Sequence, residues 1–168
     1  MNPNIHLRAI EPEDLDLLYR IENDQELWAV GNTNVPYSRY VLRDYIAHAR
    51  GDIYQDQQVR FMIEDVEGRV VGIADIVSFD PKNLRAEVGI VILKEQRRQG
   101  YATATLQALA QYAVHTLHLH QLYVFIDADN ASSLQLFRKS GYQASATLHD
   151  WLYDGQKFHD AVLMQIFF

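Results

Sequence analysis

Arg97-Arg98-Gln99-Gly100-Tyr101-Ala102 is the stretch of this chain best suited to hold an anion. It follows Glu87 to Leu93, a nearly continuous apolar run rich in β-branched residues that reads as a buried strand. After it, Thr103, Leu106, Leu109, Ala110, Ala113, Val114 and Leu117 recur at the spacing of a helix with one apolar face. Strand, basic glycine-containing loop and helix, in that order, make an anion site. The first turn of a helix carries N–H groups without intrahelical partners, and its aligned peptide dipoles leave partial positive charge there. Gly100 lets the backbone turn tightly and come close to a ligand. A phosphate or pyrophosphate is the natural guest; a plain turn is the alternative reading of Gly100.

Other chemically suggestive groups read differently. His115, His118 and His120 stand where a helix ends and a strand begins, with no carboxylate beside them in sequence. A solvated cluster favoured by the helix dipole fits them better than a metal site. Asp127-Ala128-Asp129-Asn130 opens like a calcium loop but lacks the turn glycine and the closing glutamate. No Gly-Lys-Ser/Thr follows the strand, which argues against a P-loop nucleotide binder. No metal is expected.

Composition narrows the class. A chain of 168 residues, 48% of them apolar, can bury the core of one domain, so residues 1–168 read as a single domain. No apolar run approaches membrane-spanning length, and the N-terminus carries no secretory pattern. There are no cysteines, which excludes disulfides, thiolate metal sites and Cys nucleophiles and fits a cytoplasmic location. A net charge of −7 without a basic face makes nucleic acid an unsuitable partner and is compatible with a cationic substrate.

The elements that must position these groups follow in order. His6 to Ala9 reads as a strand, and Pro12 opens a helix over Glu13 to Asn23. Leu27 to Tyr37 is irregular. Ser38 caps a second helix with Val41, Leu42, Tyr45, Ile46 and Ala49 on its stripe, ended by Gly51, and Asp52 to Gln58 is a polar loop. Arg60 to Val66 and Arg69 to Val77 form a hairpin about Glu67-Gly68, and Asp80 to Asn83 is a turn. Beyond the central strand and helix, Gln121 to Asp127 is a strand and Asn130 to Ser132 starts a helix that Gly141 ends. Tyr142 to Tyr153 and Lys157 to Phe167 form a hairpin at Asp154-Gly155. The order β-α-α-β-β-β-α-β-α-β-β is that of a mixed α/β or α+β domain. Ile166-Phe167-Phe168 reads as strand or as an interface in a homo-oligomer.

These residues carry a resemblance. Arg97-x-x-Gly100-x-Ala102 after Glu-Val-Gly-Ile-Val-Ile, then Asp129-Asn130 and a helix ending Arg138-Lys139-Ser140-Gly141-Tyr142, resembles the GCN5-related N-acetyltransferase (GNAT) family over essentially the whole chain. LRAIEPEDLDLLYRIEND, Arg85-Ala86-Glu87 and WLYDGQKFHDAV are similar to the spermidine and ribosomal-protein N-acetyltransferase branch. The resemblance implies a mostly antiparallel mixed sheet, flanked by helices and splayed at the cofactor strand. It implies acetyl-CoA as co-substrate, its pyrophosphate on the amides of Arg97, Arg98, Gln99, Gly100, Tyr101, Ala102 and Thr103. Its pantetheine arm would pair with Ile90, Val91 and Ile92, past a bulge for which Gly89 is the place. Asn130 and Ser133 stand where the family meets the far end of pantetheine; a plain helix cap is the alternative for Asn130.

The implied chemistry is attack of an amine on a thioester. A base must take the ammonium proton, often through water. Glu87 matches the family's glutamate at this strand position, and its neighbours would desolvate it; the alternatives are a surface carboxylate at the strand start or an ion-pair partner of Arg85. The strand amide near Ile90 would meet the oxyanion. Asp75 interrupts an apolar strand, where a bound amine could be its partner, or it could face water. Trp28 and Trp151 could line an acceptor pocket, with core packing the safer reading of Trp151. Two residues depart from the family's pattern. Phe137 stands where many relatives carry a tyrosine general acid, with Tyr142 and Tyr153 as substitutes that read rather as core. Asn34-Val35 precede Pro36-Tyr37 where spermidine enzymes are acidic. The expected activity is acetyl transfer to a primary amine of a small molecule, either polyamine-like or an amino sugar. The alternatives are protein N-terminal acetylation and a CoA-binding module with weak or no catalysis.

Overall fold

Alternating apolar residues build a seven-stranded sheet in the order β1-β2-β3-β4-β5-β7-β6. The computed structural model describes residues 2–28, 33–49 and 51–168. The strands are β1 (Ile5–Ala9), β2 (Val59–Asp65), β3 (Val70–Asp80), β4 (Arg85–Ile92), β5 (Gln121–Asp127), β6 (Gln143–Tyr153) and β7 (Phe158–Phe167). Every neighbouring pair is antiparallel except β4 and β5, which run parallel. The mixed, mostly antiparallel sheet that the resemblance implies is therefore present.

The helices are α1 (Leu15–Glu22), α2 (Gln25–Trp28), α3 (Arg39–His48), α4 (Ile53–Asp56), α5 (Tyr101–His115) and α6 (Ala131–Lys139). The chain groups into two compact units, Met1–Ala9 with Ile53–Phe168, and Ile10–Asp52. In the larger unit, Leu106, Leu109 and Ala113 of α5 and Leu134 and Phe137 of α6 join the buried cluster. Ala74, Ile76, Ala86, Val88, Leu122, Val124 and Met164 contribute from the strands. The opposite side chains of these strands, among them Asp75, Glu87, Tyr123 and Phe125, point to the other face of the sheet.

In the smaller unit, Pro12 opens a 3₁₀ turn rather than the α-helix itself. Glu11 N–H donates to the Asp14 carboxylate and Asp14 N–H to the Glu11 carbonyl, which tightens that turn. Ser38 caps α3 as expected, its Oγ accepting from Val41 N–H at 3.1 Å. Of the expected α3 stripe Leu42 is buried and Val41 is exposed. Asn23 exchanges two hydrogen bonds with the backbone of Tyr37. The Leu27–Tyr37 stretch begins inside α2, and its residues 29–32 lie outside those described. The polar loop Asp52–Gln58 contains the single turn α4.

Two hairpin turns are built by carboxylates. Asp65 accepts N–H bonds from Glu67 and Arg69 and pairs with the Arg69 guanidinium. Asp154 accepts from Gln156 and Lys157. β6 is bulged twice and lies exposed along most of its length. Among the described residues, no helix is long and apolar enough to cross a membrane.

Candidate active site

β4 and β5 pair through only three residue pairs: Arg85 with Gln121, Ala86 with Leu122, and Glu87 with Tyr123. Beyond Glu87 the strands part. Val88 to Ile92 continue in register with β3, while Val124 to Asp127 pair with β7. The gap leaves one edge of β4 facing no strand, so its backbone groups over Gly89 to Ile92 can pair with an inserted chain. The expected bulge at Gly89 is not there. Gly89 pairs regularly with Asp75, and the β3–β4 irregularity lies between Val77 and Asp80. The splay arises from divergence of the parallel pair.

β4 leads through a 3₁₀ turn, Lys94–Gln96, into the basic loop and α5. Arg97 Nε donates to the Ile92 carbonyl at 3.1 Å, holding the loop against the strand end. Arg98 and Gly100 both have left-handed backbone, φ +63° and +87°. Ala104 N–H donates to Gly100 O, so the N–H groups of Tyr101, Ala102 and Thr103 come ahead of the helical ladder. α5 begins at Tyr101, earlier than its apolar pattern indicates, because Gly100 supplies the cap. A Cβ on Gly100 would stand 2.9 Å from Pro3 Cδ. Gly100 is thus required by a close packing contact as well as by its φ.

Glu87 is half-buried, and burial raises its carboxyl above the ordinary carboxylate range. Among the described residues it has no hydrogen-bond or ion-pair partner, because Arg85 pairs with Asp80 at 3.2 Å instead. An uncompensated carboxylate beside the strand gap is suited to accept a proton. Tyr123 shares a hydrogen bond with the Ser78 side chain, and burial followed by the Glu87 charge raises its phenol.

Asp75 has a protein partner. Arg60 donates to both its oxygens, Nε at 2.6 Å and a terminal nitrogen at 3.2 Å. Asn130 is a helix cap, its Oδ1 accepting from Ser133 N–H at 3.2 Å and Ser132 Oγ at 3.0 Å. Trp28 lies in the smaller unit, where its indole N–H donates to Glu22 O. Phe137 is buried edge-to-face on Tyr142 at 5.0 Å. Among the described residues the buried Tyr142 hydroxyl has no hydrogen-bond partner, and burial raises its phenol well above the usual tyrosine range.

Two core assignments are overturned. Trp151 is 57% exposed, stacked on Phe125 with centroids 5.9 Å apart, and Tyr153 is 61% exposed. Bulges in β6 turn both away from the core. Sequence reading also passed over Tyr123 and Phe125. The alternation in Gln121–Asp127 places them together on the face opposite Leu122, Val124 and Ile126.

The Asp127–Asp129 turn gathers around His159. The imidazole meets Asp154 at 2.6 Å through Nε2, and Asp129 at 3.2 Å and Asp127 at 3.7 Å through Nδ1. Asp127, Asp129 and His159 are the described residues whose ligand atoms converge within 4.8 Å. The hydrogen bond to Asp154 raises His159 against the opposing effect of burial, with Asp129 and Asp127 adding to the rise, which favours the imidazolium. Of the helix-end histidines, His115 bonds Gln111 and His120 leans on Phe167.

A sheet parted at one parallel pair, a helix start turned by glycine at the mouth of the gap, and an unpaired carboxylate beside it define a site for acyl transfer from a phosphate-bearing carrier. The family model described as "Acetyltransferase (GNAT) domain" matches residues 4–143, and the chain belongs to that family of N-acetyltransferases. It is similar to spermidine N(1)-acetyltransferase of Escherichia coli strain K12, 29% identical over 167 residues that cover 98% of this chain and 86% of that one. A crystal structure of spermidine N-acetyltransferase from Vibrio cholerae in complex with CoA and spermine matches with a TM-score of 0.86. Its identity is 22%, covering 97% of this chain and 95% of that chain. A dodecameric structure of spermidine N-acetyltransferase from Vibrio cholerae matches at 0.81 with 23% identity, covering 97% and 93%. At these identities the solved structures carry the fold.

Proposed function

We propose that the chain transfers an acetyl group from acetyl-CoA to a primary amine of a small, polyamine-like molecule, with residues 1–168 working as one acetyltransferase domain in the cytoplasm. The observation that carries this reading is the parting of β4 from β5 directly after Glu87. The pantetheine arm would lie along Ile90, Val91 and Ile92 as an added strand. The diphosphate would rest on the amides of Arg97 to Thr103, with the cationic side chains of Arg97 and Arg98 beside it. Asn130 already spends its oxygen on the α6 cap, so its amide nitrogen is the group left to meet pantetheine, next to Ser133.

Glu87 would take the proton of the ammonium, directly or through water. The amine nitrogen then bonds to the acetyl carbon, the carbonyl oxygen gathers charge near the β4 amide at Ile90, and the C–S bond breaks. The nitrogen gives up its second proton as the amide forms, and that proton reaches the thiolate through water, since Phe137 has none to give. Similarity to spermidine N(1)-acetyltransferase supports an amine of the polyamine kind. The dodecameric relative supports self-association.

The test is release of free coenzyme A on mixing the protein with acetyl-CoA and a panel of monoamines, polyamines, amino sugars and peptides. Thiol release with a small polyamine is the expected result. Phe137 favours one second reading, a CoA-binding module of weak activity, and tight binding of acetyl-CoA without turnover on any amine would select it. Turnover confined to peptide N-termini would move the acceptor to protein.

A further inference from the structure

The face of β5 beside Glu87 holds a cleft of about 290 Å³ lined by Arg85, Gln121, Tyr123, Phe125, Leu163 and Gln165. Its aromatic groups form a row. Tyr123 meets Phe125 edge-to-face at 5.7 Å, and Phe125 is stacked under Trp151 at 29° between planes. The row begins beside Glu87, which is paired in register with Tyr123, and ends at exposed Trp151. The cation in the lining, Arg85, is neutralised by Asp80 at 3.2 Å. Glu87 thus stands beside the cleft, across from Tyr123, and the rings of Tyr123 and Phe125 lead from it toward Trp151.

We infer that Tyr123, Phe125 and Trp151 select the acceptor, taking an extended amine whose reacting end lies at Glu87 and whose second, distant cation stacks on the Phe125–Trp151 pair. This rests on the acetyltransferase reading and specifies its substrate. An aromatic face attracts a cation through the ring quadrupole, most strongly for Trp. A charged amine beyond the reach of Glu87 would otherwise stay in water. The aliphatic spacer between its nitrogens would lie along Tyr123 and Leu163, shedding apolar surface.

The experiment compares the protein with Trp151→Ala and Trp151→Phe. Substrates are butylamine, a triamine with two aliphatic spacers, and phenethylamine. Trp151 is exposed, so both variants keep the fold. Losing the terminal π face should raise the KM of the triamine relative to that of butylamine by about five- to tenfold, with kcat within about twofold. Trp151→Phe should recover most of that ratio. An unchanged ratio in Trp151→Ala overturns the proposal, and so does phenethylamine outperforming the triamine with the same dependence on Trp151. Calorimetric titration of triamine into the protein and into Trp151→Ala needs no turnover. If no amine is acetylated, the acetyltransferase reading fails, and the calorimetric difference still decides whether the aromatic row binds a polycation.

Discussion

Glu87 and Tyr123 are the last residues paired between β4 and β5, and on their far side the two strands separate. Backbone divergence therefore begins beside Glu87, which among the described residues has no hydrogen-bond or ion-pair partner. That pairing puts a half-buried carboxylate at the point where β4 and β5 part. It also couples Glu87 to the Tyr123 phenol, whose ionisation the carboxylate opposes.

Glu87→Gln should lower kcat/KM by about 10²-fold or more if the carboxylate is the base. Burial raises its pKa, so the acid limb of the wild-type pH profile should sit above the ordinary glutamate range. Activity is lost as pH falls through that value, and the variant should lack this limb. Thiol release measured across pH checks it, and identical profiles remove Glu87 from the role.

Replacing Gly100 tests packing as well as ligand approach. A Cβ there meets Pro3, and φ is +87°. Gly100→Val should lower both thermal stability and coenzyme A affinity, with left-handed strain alone worth about 1 kcal/mol or more. Arg98→Glu is the cleaner probe of charge. It should weaken coenzyme A binding by about tenfold with the melting temperature held. Affinity unchanged by calorimetry in Arg98→Glu would count against the diphosphate lying on this loop.

Asp75→Asn should act through stability. It removes an acceptor from the partly buried Arg60 pair, at about 1–3 kcal/mol in urea unfolding. The amine KM should hold, and a KM that rises with stability intact would return Asp75 to the acceptor site.

Tyr142→Phe should be neutral or stabilising by about 1 kcal/mol, since it deletes a buried hydroxyl that has no partner. The rate should not change. A fall in kcat without loss of stability would make Tyr142 the proton donor that Phe137 cannot be.

His159 is held charged by Asp154, with Asp129 and Asp127 adding to the effect. Its stabilising contribution is complete below the ordinary histidine range and lost as pH rises through the raised folded value. Wild-type melting temperature should therefore decline through that window relative to His159→Gln. Parallel curves would show that the imidazolium does not hold the Asp127–Asp129 turn to the β6–β7 hairpin.

Much of this fold was legible because period and punctuation speak locally. Alternation marked the strands, Gly68 and Gly155 marked hairpins, and Ser38 and Asn130 marked caps. The strand-loop-helix around Gly100 was readable for the same reason: glycine, arginine and a change of period stand within a few residues of one another. The sequence alone thus determined the element order, the helix start fit for an anion, and Glu87 at the head of the splayed strand. Tertiary structure alone decided who partners whom. It gave Asp75 to Arg60 from a neighbouring strand, tied Arg85 to Asp80, and left Glu87 unpaired. It opened the gap by strand divergence rather than at Gly89, and bulges in β6 placed Trp151 over Phe125 instead of in the core. Such outcomes depend on the register of paired strands and on where that register shifts, and no local propensity encodes which carboxylate meets a cation once the strands align.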